Sequence, residues 1–303
     1  MNSKIQNVPP PPPPAPRVWT TLDLLNWTKP FFEKKGIPSA LLEAQLLLAE
    51  ALHCERMRLY TDFEKPVSAE NLAAFREFVR RRADLREPSQ YILGHTQFID
   101  LKLNVTRAAL IPRPETELLA LWAVTRAKEA GDAPVVLDLC TGTGCLALYV
   151  ASKVPGARVI ATDLSPDALA LARGNAAALK LTERVEFRPG DLFAALSDGL
   201  QFDVLVTNPP YIDEATRAEL QPEVRDHEPA IALFAADRGL AISKRILAEC
   251  APWLKPGGWL GMEFGIHQDA ALAAAAQESG HFSGVSLEKD AARIVRFLHA
   301  RRA

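Results

Sequence analysis

The sequence predicts an α/β fold: a doubly wound, mostly parallel sheet preceded by a small helical region. Three observations predict it. From about residue 134 onward, apolar β-branched runs alternate with helical stretches, the pattern of β-α-β units. Several of these runs end on glycine, aspartate or asparagine, which are turn residues. Before residue 93 the text instead carries helical periodicity.

The 303 residues are 48% hydrophobic with a formal net charge of −2. That composition suits a sizeable core in roughly two domains. The charge balance argues against a whole-protein grip on nucleic acid, which needs clustered Lys and Arg. Cys54, Cys140, Cys145 and Cys250 are scattered and form no CxxC pair. Neither a disulfide framework nor a zinc site is expected, and a reducing compartment is. The opening MNSKIQNVPP has no apolar core of a secretory signal, and no run of about 18 apolar residues occurs. The expectation is a cytoplasmic monomer with no membrane segment, no direct nucleic-acid contact and no metal.

Residues 1–17 contain PPPPPPAP, a polyproline II sequence read as a disordered tail. Residues 18–92 are expected to form a helical domain. Thr20 and Asp23 have capping-box spacing, and Ser39 stands where an N-cap is needed before ALLEAQLLLAEALHC. In a third helix Leu72, Phe75 and Val79 share one stripe. Arg76, Arg80, Arg81, Arg82 and Arg86 are assigned to its other, solvated face, available to an acidic partner.

Residues 93–109 are expected to form a β-hairpin linker, because FIDLKLNV alternates apolar and polar residues. The α/β domain then occupies 110–303. It opens with LIPRPET, whose two prolines restrict the backbone ahead of a helix at about Glu115. Strands follow at 134–139, 158–164, in RVEFRPGDLF, at 202–210 and at 257–265. Ser165 with Pro166 marks a helix start. A helix is expected from about Gly239 to Leu254, and two more strands in SGVSLEKDAARIVRFLHA.

In open parallel sheets, ligands bind at the carboxyl ends of the strands. Those ends carry Asp138 and the glycine turn Cys140-Thr141-Gly142-Thr143-Gly144, then Asp163, then Asp191-Leu192, then Asn208. The glycine turn alone also fits a dinucleotide fingerprint. Acids at three successive strand ends suit S-adenosylmethionine better, since it presents an amino-acid head, a ribose and an adenine, with no pyrophosphate to repel. For any single aspartate the plainer reading is a turn or helix cap.

Asn208-Pro209-Pro210-Tyr211 ends an apolar strand stiffly, since the prolines fix φ and lack N–H groups. Asn208 Oδ1 and the Pro209 carbonyl form a pair of acceptors suited to both hydrogens of a planar –NH₂ group. Holding them aims the nitrogen lone pair at a methyl donor. Tyr211 is expected to be a flat wall for that group.

NPPY, DLCTGTG and TDLSPDAL together resemble N-methyltransferases that act on exocyclic amino or amide nitrogens. With LIPRPETE, the hairpin and the helical N-terminal region, the chain resembles the HemK/PrmC family of peptide chain release factor glutamine N5-methyltransferases over about residues 20–300. The resemblance implies a class I S-adenosylmethionine-dependent methyltransferase fold, Rossmann-like with a mostly parallel seven-stranded sheet, behind a small N-terminal helical bundle that recognises release factors. It implies methylation of the glutamine in the Gly-Gly-Gln motif of class I release factors. The cofactor would be held by Asp138, Cys140, Thr141, Gly142, Thr143, Gly144, Asp163, Asp191, Leu192 and Asn208. The substrate would be held by Asn208, Pro209, Pro210, Tyr211, Arg113 and Glu115, with Asn208, Pro209 and Tyr211 catalytic.

Family members often have glycine where Cys140 stands. The cysteine spelling also resembles sister enzymes that methylate a large-subunit ribosomal protein, which is the alternative substrate; IPRPETE favours the release-factor branch. A thiol nucleophile at Cys140 and a metal site at Asp226-His227-Glu228 are both set aside. So are a DNA adenine methyltransferase, a non-catalytic binding module and an NAD oxidoreductase.

Overall fold

The computed structural model describes residues 18–303, so the proline run lies outside the described residues. The chain divides into two compact units, Met1–Leu85 and Arg86–Ala303. Among the described residues no helix is long and apolar enough to cross a membrane.

The first unit packs helices Thr21–Lys34, Ala40–Ala51 and Ala69–Asp84 around Phe32, Leu47, Leu48 and Phe75, all fully buried. The capping box forms: Thr20 Oγ1 accepts from Asp23 N at 3.2 Å, and Asp23 Oδ2 accepts from Thr20 N at 3.1 Å. Ser39 takes its N-cap position but adopts φ 52°, ψ 39°, and its side chain makes no capping bond. Capping geometry needs an extended residue there. The arginine face is also less open than the sequence suggested. Arg82 is only 3% exposed, and its Nε donates to Glu43 Oε2 at 2.9 Å. Arg80 is paired with Glu77 along its own helix.

The second unit opens with the short helix Ser89–Leu93, followed by the hairpin, β1 (His95–Phe98) and β2 (Leu101–Asn104). The alternating stretch FIDLKLNV is therefore not one strand, because the turn falls inside it. Ile99 sits at φ 54°, which a β-branched residue rarely adopts. Its N–H donates to Glu117 Oε1 at 2.9 Å, a tertiary bond that offsets the strain.

The remaining strands are β3 (Val135–Leu139), β4 (Arg158–Asp163), β5 (Val185–Pro189), β6 (Phe202–Thr207), β7 (Leu254–Glu263), β8 (Phe282–Lys289) and β9 (Val295–Arg302). They form one sheet in the order β5-β4-β3-β6-β7-β9-β8. β3 to β7 run parallel, and β9 and β8 close the edge antiparallel. This is the Rossmann-like methyltransferase topology that was expected. The helix expected over 239–254 is shorter: it spans Ala241–Glu249 and gives way to a 3₁₀ turn at Ala251–Trp253 that includes Pro252.

Helices cover both faces. Val136, Val204 and Val206 pack with Leu119, Leu146 and Val150 on one side. Leu137, Leu139 and Leu205 pack with Ile246, Leu247 and Leu272 on the other. Such two-sided burial is why these strands read as continuous apolar runs. Register does the rest: Leu139 lies beside both Thr162 and Thr207, and Asp163 beside Pro189. Four strands thus end at one level, and the polar residues that follow them share one edge.

Candidate active site

The turn after β3 is built from left-handed residues. Cys140 (φ 59°), Gly142 (φ 56°) and Gly144 (φ 83°) bring the chain round into helix Cys145–Lys153. Thr141 N donates to Thr162 O at 3.0 Å and Gly144 N to Thr141 O at 2.8 Å, which ties the turn to β4 and closes it. Gly142 is open on its free side: an added Cβ would meet only Ala109 Cβ, at 3.9 Å.

Asp138 lies beneath this turn, fully buried, and is off the cavity wall. Its Oδ2 accepts from Thr141 Oγ1 at 2.6 Å and from Ala147 N at 3.1 Å. Burial, with the Asp163 charge adding to it, pushes its carboxyl up to about 7. Asp138 thus braces the turn and the helix start from beneath the cavity wall. Gly144 is also off the wall, because its missing Cβ admits Leu148 and Ala172. The Cys140 thiol is pushed up by burial first and by the neighbouring aspartates second, which leaves it protonated and unsuited to nucleophilic work.

Asp163 lines the cavity at the end of β4. Its Oδ2 accepts from Gly142 N at 2.8 Å and its Oδ1 from Ser165 N at 2.9 Å. Burial raises its pKa, and these backbone donors pull against that. Each oxygen keeps a further lone pair for a ligand hydroxyl. Thr143 and Thr162 also line the cavity, and among the described residues neither buried hydroxyl has a nitrogen or oxygen hydrogen-bond partner. Asp191 and Leu192 form the wall after β5; Asp191 is ion-paired with Arg245 at 3.1 Å, and Leu192 is buried at φ 49°.

Asn208, at the end of β6, donates from Nδ2 to Thr116 Oγ1 at 3.1 Å. Thr116 Oγ1 in turn donates to Glu263 Oε2 at 2.7 Å. Asn208 Oδ1 accepts nothing from the described residues, and Asn208, Thr116 and Pro210 all line the cavity. Pro209 and Tyr211 do not. Pro209 is buried, and the Tyr211 hydroxyl donates to Glu263 Oε1 at 3.3 Å while its ring lies against Gly265. Tyr211 supports the loop from behind in this structure. Its carbonyl accepts from Gln268 Nε2 at 2.9 Å. An added Cβ on Gly239 would lie 2.0 Å from that carbonyl, so glycine is required there.

The wall opposite comes from the loop before helix Pro114–Glu129. Arg113 lines the cavity, and its Nη2 donates to Glu228 Oε1; Glu228 Oε2 accepts from Ile111 N at 3.1 Å. Glu115 is half-buried and off the wall. Of Asp226-His227-Glu228, read as a turn, the first two end a short helix, Pro222–His227, and Glu228 is a buried clamp on the Arg113 loop.

Sequence reading missed Glu263 and Gln268, named Glu228 only in the metal site that was set aside, and covered Thr116 only within LIPRPET. Glu263 did carry a signal: an acid inside the apolar run WLGMEF, 1% exposed in the fold. A charge placed so deep is normally paired or functional. Burial pushes it up to about 7 against the hydrogen bonds from Thr116 and Tyr211.

The PrmC N-terminal domain family matches residues 23–94, and the methyltransferase small domain family matches residues 119–223. A release factor glutamine methyltransferase from Geobacter sulfurreducens is 44% identical over 84% of this chain and 87% of its own length. One from Rhodopirellula baltica is 38% identical over 94% and 97% respectively. Among solved structures, the hMettl16 catalytic domain, in complex with MAT2A 3′UTR hairpin 6, superposes with a TM-score of 0.53 over 76% of this chain and 81% of that one. At 15% identity that likeness concerns the fold alone. With such identity across nearly the full length of its relatives, and both parts of the architecture present, the chain belongs to the release factor glutamine methyltransferase family.

Proposed function

We propose that the cavity binds S-adenosylmethionine and that the protein methylates the side-chain amide of the glutamine in the Gly-Gly-Gln motif of class I release factors. The observation that carries this is Asn208. Asn208 lines the cavity; its amide nitrogen donates to Thr116, while its oxygen has no partner among the described residues. It is an acceptor waiting for an N–H.

The residues present fit the cofactor. Asp163 has lone pairs left for a ribose diol, Thr143 and Thr162 have unspent hydroxyls, and the open side of Gly142 leaves room where a side chain would intrude. Leu192 supplies apolar wall for the adenine, and Asp191 can accept from its amino group. Bound there, the cofactor would supply an electrophilic methyl group for the glutamine nitrogen, with the S–C electron pair left on sulfur and the displaced proton lost to water.

The chain's own work is positioning. A carboxamide nitrogen is a poor nucleophile because its lone pair is delocalised. Asn208 Oδ1, on the cavity wall, would take one amide hydrogen and point the lone pair along the transfer axis; the Pro209 carbonyl, off the wall in this structure, would take the other only with the substrate seated against the loop. Arg113 and Glu228 would shape the entrance. No strong base is needed, since the nitrogen becomes acidic once methylated. The helical N-terminal unit would recognise the release factor.

The test is methyl-labelled cofactor with purified release factors and, separately, the large-subunit ribosomal protein. Mass spectrometry should find one added methyl on the Gly-Gly-Gln peptide. Methyl gain on the ribosomal protein alone would reassign the substrate, and an Asn208→Ala protein with wild-type turnover would remove Asn208 from the mechanism.

A further inference from the structure

We propose that Glu263 and Thr116 are positioning residues: a directed hydrogen-bond chain from the Glu263 carboxylate through the Thr116 hydroxyl holds the Asn208 amide in the one orientation that offers Oδ1 to the substrate. The proposal rests on the reading of the cavity as a site for a glutamine amide.

Direction follows from counting protons. A hydroxyl has one proton, and an ionised carboxylate has none. Thr116 Oγ1 lies 2.7 Å from Glu263 Oε2, so its proton goes there. Towards Asn208, 3.1 Å away, Thr116 can then only accept. The end of Asn208 that faces it must be the –NH₂ group, and Oδ1 is left for the cavity. A flipped Asn208 would set two acceptors against each other and show the substrate N–H a donor.

Glu263 also holds the far end of the tetrapeptide through the Tyr211 hydroxyl. One buried carboxylate therefore anchors both the first and the last residue of Asn208-Pro209-Pro210-Tyr211. A space-filling residue at the end of β7 would need no charge, and burying one is unfavourable unless it is used.

The charged and titratable groups around Glu263 leave this chain intact. Arg296 on β9 lowers its pKa, but Arg296 is paired with Asp290 at 3.5 Å. Glu115, on the same helix as Thr116, raises it. Tyr211 and Cys145 are both pushed up by burial and stay neutral. Once Glu263 takes a proton it becomes a donor. Thr116 can then receive, turn its own proton to Asn208, and draw Oδ1 out of the cavity.

The test compares wild type with Thr116→Val, Thr116→Ser and Glu263→Gln, each as the full chain, on a release factor substrate. Thr116→Val should lower kcat by roughly 10- to 100-fold with cofactor affinity within about twofold, a loss of orientation only. Thr116→Ser should restore kcat to within about threefold of wild type, because it keeps the hydroxyl. Wild-type kcat should fall as pH drops through about 7, and Glu263→Gln should lack that limb. Independently of turnover, the Asn208 side-chain ¹⁵N resonances should titrate with the same midpoint in wild type and not in Glu263→Gln. Wild-type kcat in Thr116→Val, equal impairment of the Val and Ser variants, or an Asn208 signal that ignores Glu263 would each overturn the proposal. A titrating Asn208 signal in a wild-type protein that leaves release factors unmodified would overturn the substrate reading and keep the relay.

Discussion

Asp163 Oδ2 accepts the backbone N–H of Gly142 at 2.8 Å, joining the turn after β3 to the end of β4. Its other oxygen accepts from Ser165 N at 2.9 Å. One side chain thus sets the shape of the glycine turn and the start of the next helix, while facing the cavity.

Asp163→Asn should therefore be harmful despite its matched shape. An amide has one acceptor oxygen, so its –NH₂ must face either Gly142 N or Ser165 N, donor against donor. Leaving one of these unpaired costs about 1–3 kcal/mol. We expect a lowered urea midpoint and a cofactor affinity reduced at least about tenfold, which corresponds to about 1.4 kcal/mol. Denaturation and calorimetric titration with S-adenosylhomocysteine measure the two separately. Unchanged affinity would show that Asp163 serves the turn alone.

Cys140 occupies a left-handed position, φ 59°, a conformation that glycine adopts freely. An L-residue pays roughly 1–2 kcal/mol there, while glycine pays about 0.5–1 kcal/mol in chain entropy, so the two nearly balance. Cys140→Gly should keep stability within about 1 kcal/mol of wild type and retain activity. Cys140→Val puts a branched Cβ into the same conformation and should lose about 2 kcal/mol or more. Thermal melts of the two variants decide it, and equal melting temperatures would remove backbone strain as the cause.

How far the site could be read from sequence follows from geometry. Asp163, Asp191 and Asn208 were legible because each is a polar residue ending an apolar run, and parallel register brings such ends to one edge. Asp138 was legible as a strand-end acid, but its direction was not. It points to the same face as Val136, two residues earlier, and so beneath helix Cys145–Lys153. Glu263 was hidden inside a run read for its apolar content. Arg82 looked solvated because its partner Glu43 is 39 residues away. The turn at Ile99 depends on Glu117, a contact that alternation within FIDLKLNV cannot reveal.

Glu228 predicts a loop-ordering effect at the cavity entrance. Its side chain is 1% exposed and holds both Arg113 and the Ile111 N–H. Glu228→Ala strips two donors at once and should destabilise by about 2–4 kcal/mol, less than a fully buried pair because Arg113 reaches solvent. Glu228→Gln keeps an acceptor for one of them and should fold. Its KM for the release factor should rise several-fold with kcat little changed, since the wall moves and Asn208 does not. A kcat loss at constant KM would place Glu228 in the chemical step.

His299 gives the protein a pH-dependent stability with a defined sign. It is 8% exposed, stacked on Trp122 at 4.2 Å, and its buried Nε2 has no partner among the described residues. Burial first, and Arg126 second, push its pKa down to about 4 from 6.5. The fold therefore favours the neutral ring, and between these values the unfolded chain binds the extra proton. This contribution is fully present above pH 6.5, falls away as pH drops towards 4, and amounts to about 3 kcal/mol at most. Asp138 and Glu263, both pushed up to about 7, act with the opposite sign, since acid neutralises them in the fold first. The informative quantity is thus the difference between wild type and His299→Phe, which keeps the stack on Trp122 and cannot take a proton. Across pH 7 to 4 the wild type should lose stability relative to the variant, measured from urea midpoints at fixed ionic strength. Parallel curves would mean that His299 titrates as in water and that its burial carries no charge penalty.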